Sequence, residues 1–430
     1  MKTPNKWVSL LLVVCFVAVF TGCQGRAGFG ESASNPSLAQ TAAQEPLGVS
    51  DMKLLTKWNG VCSGAAGEQG FYYPKVKDDG SMLLMYLDYA TGAETVLCSN
   101  LSCEHRDASC PAWISANQGG VVPLVVGDSL FLISRGSDNP SEEICQPKLI
   151  RMELNGADKR TVIELDASEE LIPPFAGNED TIVCSYRSSR TDGTSLDSDQ
   201  CIVAIQTKNG RMTKLADVGE NTTTVVGALE EQLLLQSVSG ESFFLSALDA
   251  NTAEQKVLDT WKYGEKVLFT TQEGYGFVYD DGHIEYSKAP FFEKQEFPGI
   301  SVPMDEQLGL ESVMFIDSFD DKVIFEVFHP GSEPAQTQVK EWGFDLSDGT
   351  LRELALYTDF DGVTEPVEII SALENQLLVI AELSYQQVNM LDENQMPIQM
   401  QTIANQYALI DKEDYWNSKA NYQLFESVWF

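Results

Sequence analysis

Ser312-Val-Met-Phe-Ile-Asp317 and Lys322-Val-Ile-Phe-Glu-Val-Phe328 are two runs of β-branched and aromatic residues on either side of Asp320-Asp321. Such runs favour the pleated, half-buried backbone of a strand, and the acidic pair between them suits a tight turn. A Gly/Pro-rich loop, His329-Pro-Gly-Ser-Glu-Pro-Ala-Gln336, leads to Val339-Lys-Glu-Trp-Gly-Phe-Asp345. Ser347-Asp348-Gly349-Thr350 then offers residues suited to positive φ before Leu351–Leu356. The stretch reads as one antiparallel sheet of four strands. A sheet with two apolar faces cannot bury both alone, so it needs copies of itself on either side, as in a β-propeller.

Working outward, the same pattern recurs. Gly70–Val76, Met82–Asp88 and Glu94–Cys98 form a first copy, with turns at Asp78-Asp79-Gly80 and Ala90-Thr91-Gly92. Val121–Val126, Ser129–Ser134, Lys148–Leu154 and Arg160–Leu165 form a second, and further copies follow to Phe425. Residues 51–430 divided among seven copies give about 54 residues each, slightly long for propeller blades. The reading is an all-β, seven-bladed propeller, with six or eight blades as alternatives.

In such a ring the loops between second and third strands share one face with the crossovers between blades. The turns between first and second strands are all short, for example Gly127-Asp128, Glu230-Glu231 and Asp320-Asp321. The opposite face swells at Arg135–Pro147, Arg187–Gln200, His329–Gln338 and Ser384–Gln401, and in the crossover Ser99–Gly120. Rigid scaffolds carry their binding residues on such insertions.

The chain opens with Lys2 and Lys6, an apolar run from Trp7 to Phe20, and Thr21-Gly22-Cys23. The run is too short to span a bilayer, and small residues before a cysteine suit lipoprotein processing, although Phe20 stands where a smaller residue is usual. Residues 1–22 therefore read as a lipoprotein signal peptide and Cys23 as the lipidation site, placing the domain on the outer face of the cell membrane. Residues 23–50 are poor in large apolar side chains and read as a disordered tether to a propeller at 51–430. The net charge of −36 falls to −38 when Lys2 and Lys6 are removed with the signal peptide. A field of that sign repels nucleic acid.

Seven cysteines remain outside positions 15 and 23, and four potential ligands fall within 13 residues: Cys98, Cys103, His105 and Cys110. Three thiolates and an imidazole are a familiar zinc set, so a structural zinc is one expectation. Export favours a second, a disulfide within the cluster such as Cys98 with Cys110 or Cys103 with Cys110. Cys184 and Cys201 fall on adjacent strands of one hairpin and are expected to pair. The stretch from Tyr86-Leu-Asp-Tyr-Ala-Thr-Gly through Leu97-Cys98 and Cys103-Glu-His105 to Cys110-Pro-Ala-Trp113 resembles a segment of uncharacterised propeller-like lipoproteins of anaerobic Gram-positive bacteria. That resemblance implies the fold and the address and leaves activity open.

There are only three histidines, and no Ser-His-Asp ordering, phosphate loop or C-x-x-C pair stands out. His329 at the base of a long loop, and the carboxylates Glu142, Glu143, Asp197 and Asp199 on others, are the candidate binding residues. His283 follows a tight turn and reads as solvated. The expected function is a lipid-anchored, non-catalytic binding or scaffold protein for an extracellular glycan, peptide or protein. A polysaccharide-active or other hydrolytic propeller is the alternative. Cys23→Ala is expected to abolish palmitate labelling and membrane fractionation together; persistent labelling would refute the anchor.

Overall fold

Seven antiparallel sheets of four consecutive strands follow one another along the chain, each a blade. The computed structural model describes residues 49–426 except 63, 78, 101, 138–144, 192–195, 219–221, 291, 332–336, 361–362 and 392–396. The expected signal peptide, Cys23, all but residues 49–50 of the expected tether, and Glu142 and Glu143 lie outside the described residues. Blade 1 is built from Ala65–Ala66, Gly70–Val76, Met82–Asp88 and Glu94–Val96, and blade 2 from Val121–Val126, Ser129–Ser134, Lys148–Glu153 and Arg160–Glu164. Blade 3 uses Glu169–Gly177, Thr181–Thr191, Leu196–Gln206 and Met212–Asp217, while blades 4 and 5 occupy 222–262 and 266–296. Blade 6 uses Val313–Phe319, Lys322–His329, Gln338–Asp345 and Leu351–Leu354. Blade 7 uses Glu368–Ala372, Gln376–Leu391, Pro397–Asp411 and Gln423–Leu424.

Strand alternation explains the ring. On Lys322–His329, Val323, Phe325 and Val327 pack toward blade 5, and Ile324 packs toward blade 7. Every blade divides its side chains in this way, and the apolar core falls into seven clusters, one at each seam between neighbours. The closing seam joins Phe71, Leu83, Met85 and Leu87 of blade 1 to Ile370, Leu378, Ile380, Tyr407 and Leu409 of blade 7. Among the described residues no strand is exchanged between the first and last blades; a backbone bond, Glu426 N to Gly92 O at 2.9 Å, links their outer edges. Among the described residues no helix is long and apolar enough to cross a membrane.

A strap of residues 49–62 runs through the ring, from blades 3 and 4 to blades 6 and 7. It starts on the face of the short turns, where Asn251 brackets Val49 with bonds of 2.8 and 2.9 Å and Met52 N donates to Glu230 O at 2.8 Å. Lys53–Leu54 then pairs with the innermost strand of blade 3. Further on, Lys57 reaches Glu368 of blade 7 at 3.2 Å, and Trp58 Nε1 donates to Ile316 O of blade 6 at 3.2 Å. Because blade 3 lies across the ring from blades 6 and 7, the strap must cross the axis.

Several expectations are revised. Gly70–Val76 is the second strand of blade 1; the two-residue strand Ala65–Ala66 lies inside it. Of Arg187–Gln200 and Ser384–Gln401, most is ladder: strands of 11 residues pair in blade 3, and strands of 16 and 15 in blade 7. The crossover into blade 7 folds as a hairpin, Tyr357–Phe360 with Val363–Pro366. Cys184 lies opposite Val203 and Cys201 opposite Tyr186, so the expected pairing is not formed and both are free thiols. Diagonal neighbours stand roughly 7–8 Å apart, beyond the roughly 4 Å between the Cβ atoms of a disulfide.

Phe71 is 1% exposed at the closing seam and touches Tyr407 with ring centroids 5.6 Å apart. Phe71→Ala is expected to cost about 3–5 kcal/mol, read as a lower urea midpoint. A loss below about 1 kcal/mol would show that this seam does not hold the ring closed.

Candidate functional site

The crossover from blade 1 to blade 2 folds back on itself because short polar side chains cap its turns. Cys98 follows the outermost strand of blade 1; Asn100 then accepts from Ser102 N at 3.1 Å through its side chain and from Cys103 N at 3.0 Å through its carbonyl. Asp107 does the same for Ser109 N at 2.9 Å and Cys110 N at 3.0 Å. His105 takes a left-handed φ of 56°, which reverses the chain between the two turns. Trp113–Ile114 rejoins blade 1 beside Met82–Leu83.

These turns bring Cys98, Cys103, His105 and Cys110 together, their donor atoms all within 4.8 Å of one another. His105 Nδ1 stands 3.3 Å from Cys110 Sγ. A tetrahedral centre with bonds near 2.3 Å has edges of roughly 3.8 Å, so the donor set fits a metal ion. An imidazole converging on three thiols is not something a disulfide requires. Cys110 is 1% exposed, and burial pushes its thiol up to about 12, while the amide of His105 holds Cys103 below the usual range. All three cysteines are free thiols.

The other candidate residues do not assemble. His329 Nδ1 faces Asp305 Oδ2 at 3.4 Å in the crossover before blade 6. Asp197 and Asp199 sit on the long hairpin of blade 3, opposite Arg190 and Ser188. His283 stacks on Tyr279, ring centroids 4.1 Å apart, and pairs with Asp281 at 2.5 Å.

A second concentration of chemistry lies between blades 6 and 7. Glu326 and Glu341 are cross-strand partners in blade 6, and Glu326 shares its strand face with Ile324, which packs toward blade 7. Glu341 is 2% exposed and accepts from the Tyr415 hydroxyl, while its Oε2 has no partner among the described residues. Burial pushes Glu341 up to about 8 and Glu326 up to about 7, and it also raises Asp317. Glu365 and Glu368 add to the rise at Glu326, and Lys57 of the strap opposes it. The signal in the sequence was a carboxylate on an inward position of an apolar run, Val-Ile-Phe-Glu326-Val-Phe.

No family model and no curated protein matches the chain. Among solved structures, the acylaminoacyl peptidase of Pyrococcus horikoshii aligns with a TM-score of 0.49 at 10% identity, over 88% of this chain and 53% of its own. The chain thus spans about half the length of that peptidase. An oligogalacturonate lyase in complex with manganese aligns with a TM-score of 0.45 at 12% identity, over 87% of this chain and 96% of its own. An uncharacterised Listeria monocytogenes protein aligns with a TM-score of 0.44 at 12% identity, over 79% and 91%.

The raised carboxyls make stability depend on pH. A group whose pKa is higher in the folded state binds more protons there, so its contribution is intact below the unfolded value near 4.5 and is lost as pH rises toward 8. Glu341→Gln keeps the acceptor for Tyr415 and removes this titration. Its stability should match wild type at about pH 4 and exceed it by a few kcal/mol, as an order of magnitude, at about pH 8.5. Parallel urea midpoints across that range would contradict the assignment.

Proposed function

We propose that this chain is a lipid-anchored propeller of the outer cell surface that binds an extracellular glycan, peptide or protein without catalysis, using the face that carries the long hairpins. One observation carries the reading. Of the seven exposed large apolar side chains among the described residues, five lie on that face: Val76, Tyr263, Leu308, Tyr357 and Tyr385. Exposed apolar surface marks an interaction site where it is contiguous, as it is at the ribbon base where Tyr385 meets Phe360.

The architecture supports the same face. In blade 7 the innermost strand pairs only as far as Ile380, so about ten residues of each ribbon strand, roughly 30 Å, extend past the ring. Phe360 of the crossover hairpin packs on Tyr385, ring centroids 4.6 Å apart, bracing the ribbon base. The strap enters at Val49 on the opposite face, so a tether arriving from a lipidated Cys23 would leave the hairpins turned away from the membrane.

Cys98, Cys103, His105 and Cys110 are proposed to hold a structural zinc. Four protein ligands complete the tetrahedron, leaving no position for a water nucleophile. The metal would hold in place a crossover that has few ladder bonds of its own.

Tyr263→Ser, Tyr357→Ser and Tyr385→Ser combined, screened with wild type on glycan and peptide arrays, test the binding face. Tyr263, 68% exposed, should change stability by no more than about 0.5 kcal/mol and the partly packed Tyr357 and Tyr385 by about 1 kcal/mol each, while binding falls at least about tenfold. Undiminished binding would move the surface elsewhere, and turnover of a polysaccharide by wild type would overturn the non-catalytic reading.

A further inference from the structure

The metal centre has a neighbour on blade 2 that its own loop does not supply. The turn between the third and outermost strands of blade 2 reaches across the seam and touches the ligand segment at both ends. At one end Gly156, with φ 86°, lies so close to Leu97 O that an added Cβ would stand 2.4 Å from it, and Leu97 directly precedes Cys98. At the other end Lys159 Nζ donates to Pro111 O at 2.9 Å and to Trp113 O at 3.1 Å, and Pro111 directly follows Cys110.

Lys159 is anomalous by its surroundings. The chain carries 64 carboxylates against 28 lysines and arginines, yet among the described residues this half-buried ammonium forms no ion pair with any of them. Both of its hydrogen bonds go to carbonyls, and one of these, Pro111 O, belongs to the residue that follows Cys110. A partly buried cation without a counter-charge is costly. One divalent ion bound by three thiolates and a neutral imidazole carries a net charge of −1, which this ammonium balances.

We infer that Lys159 is the counter-charge and positioning residue of a zinc tris-thiolate centre, and that the centre thereby fastens blade 2 to blade 1. The inference rests on the zinc reading of the four ligands. Groups outside the ligand shell that orient it typically change metal affinity by about 10–100-fold when removed.

The test uses the detergent-solubilised full-length protein as wild type, Lys159→Met, Lys159→Arg and, as a control on the outermost strand of blade 4, Lys256→Met. Zinc content is measured by elemental analysis, affinity by competition with a chromophoric chelator, and thiolate ligation by the charge-transfer bands of the cobalt-substituted protein. Wild type and Lys256→Met are expected to hold one zinc with equal affinity, Lys159→Met to bind about 10–100-fold more weakly, and Lys159→Arg to recover most of the loss. Chelation should lower the melting temperature of wild type more than that of Lys159→Met. Zinc-bearing wild type with an unchanged Lys159→Met affinity would overturn the role of Lys159 alone. Equal destabilisation of the metal-free and metal-bound forms by Lys159→Met, with affinity unchanged, would reduce the residue to a backbone support. Metal-free wild type that takes up no zinc would overturn the zinc reading, and the inference with it.

Discussion

Burial of both faces of every sheet is the constraint on which the rest of the molecule depends. Each blade is too thin to hide its own side chains, so stability resides in the seams, and seven apolar clusters serve seven seams. Six are covered by chain continuity, since neighbouring blades are consecutive in sequence. The seventh must find its partner far along the chain, and among the described residues it does so without strand exchange. Aromatic side chains take part in it, with Tyr73 and Phe71 both against Tyr407 at 5.2 and 5.6 Å between centroids. Large rings bury much area per residue fixed, which offsets the entropy of so distant a contact.

A ring of this kind leaves space along its axis, and the strap occupies it. The same segment that bonds to blade 3 carries Lys57 to the carboxylates between blades 6 and 7, where Glu368 takes it at 3.2 Å. One cation cannot neutralise Asp317, Glu326, Glu341 and Glu368 together. Desolvation therefore leaves part of the set protonated near neutrality, in line with the upward displacement of Glu326 and Glu341. The strap and the acidic seam are two parts of one arrangement.

The fold was legible because period-two alternation is imposed wherever a strand has a core to face. Val323, Phe325 and Val327 against Ile324 is that alternation, and it marks blade 6 without ambiguity. The ribbon of blade 7 is harder to read: its Gln- and Asn-rich strands run past the innermost strand, and the alternation of Val388 with Met390 and of Ile398 with Met400 is too short to stand out. Ala65–Ala66 is too short to carry a pattern. The Cys98 to Cys110 set was legible from spacing alone because all four side chains belong to one loop. Glu326 with Lys57, by contrast, and the register that separates Cys184 from Cys201, depend on contacts between distant segments or on offsets of two residues that no local spacing reveals.

The same geometry explains where the chain could change without losing its closure. A second and third strand lengthened past the seam leave the innermost and outermost strands in place, so the hairpins of blades 3 and 7 grow outward while the apolar clusters below them remain complete. Insertion between blades is different, because a crossover lies across a seam and disturbs the packing it spans. In the longest one, at residues 99–120, apolar burial is confined largely to Cys110, Ala112 and Ile114, and the remainder is organised by polar turns and by the four metal-competent side chains. Where the core cannot extend over an insertion, hydrogen-bonded polar turns take over its work.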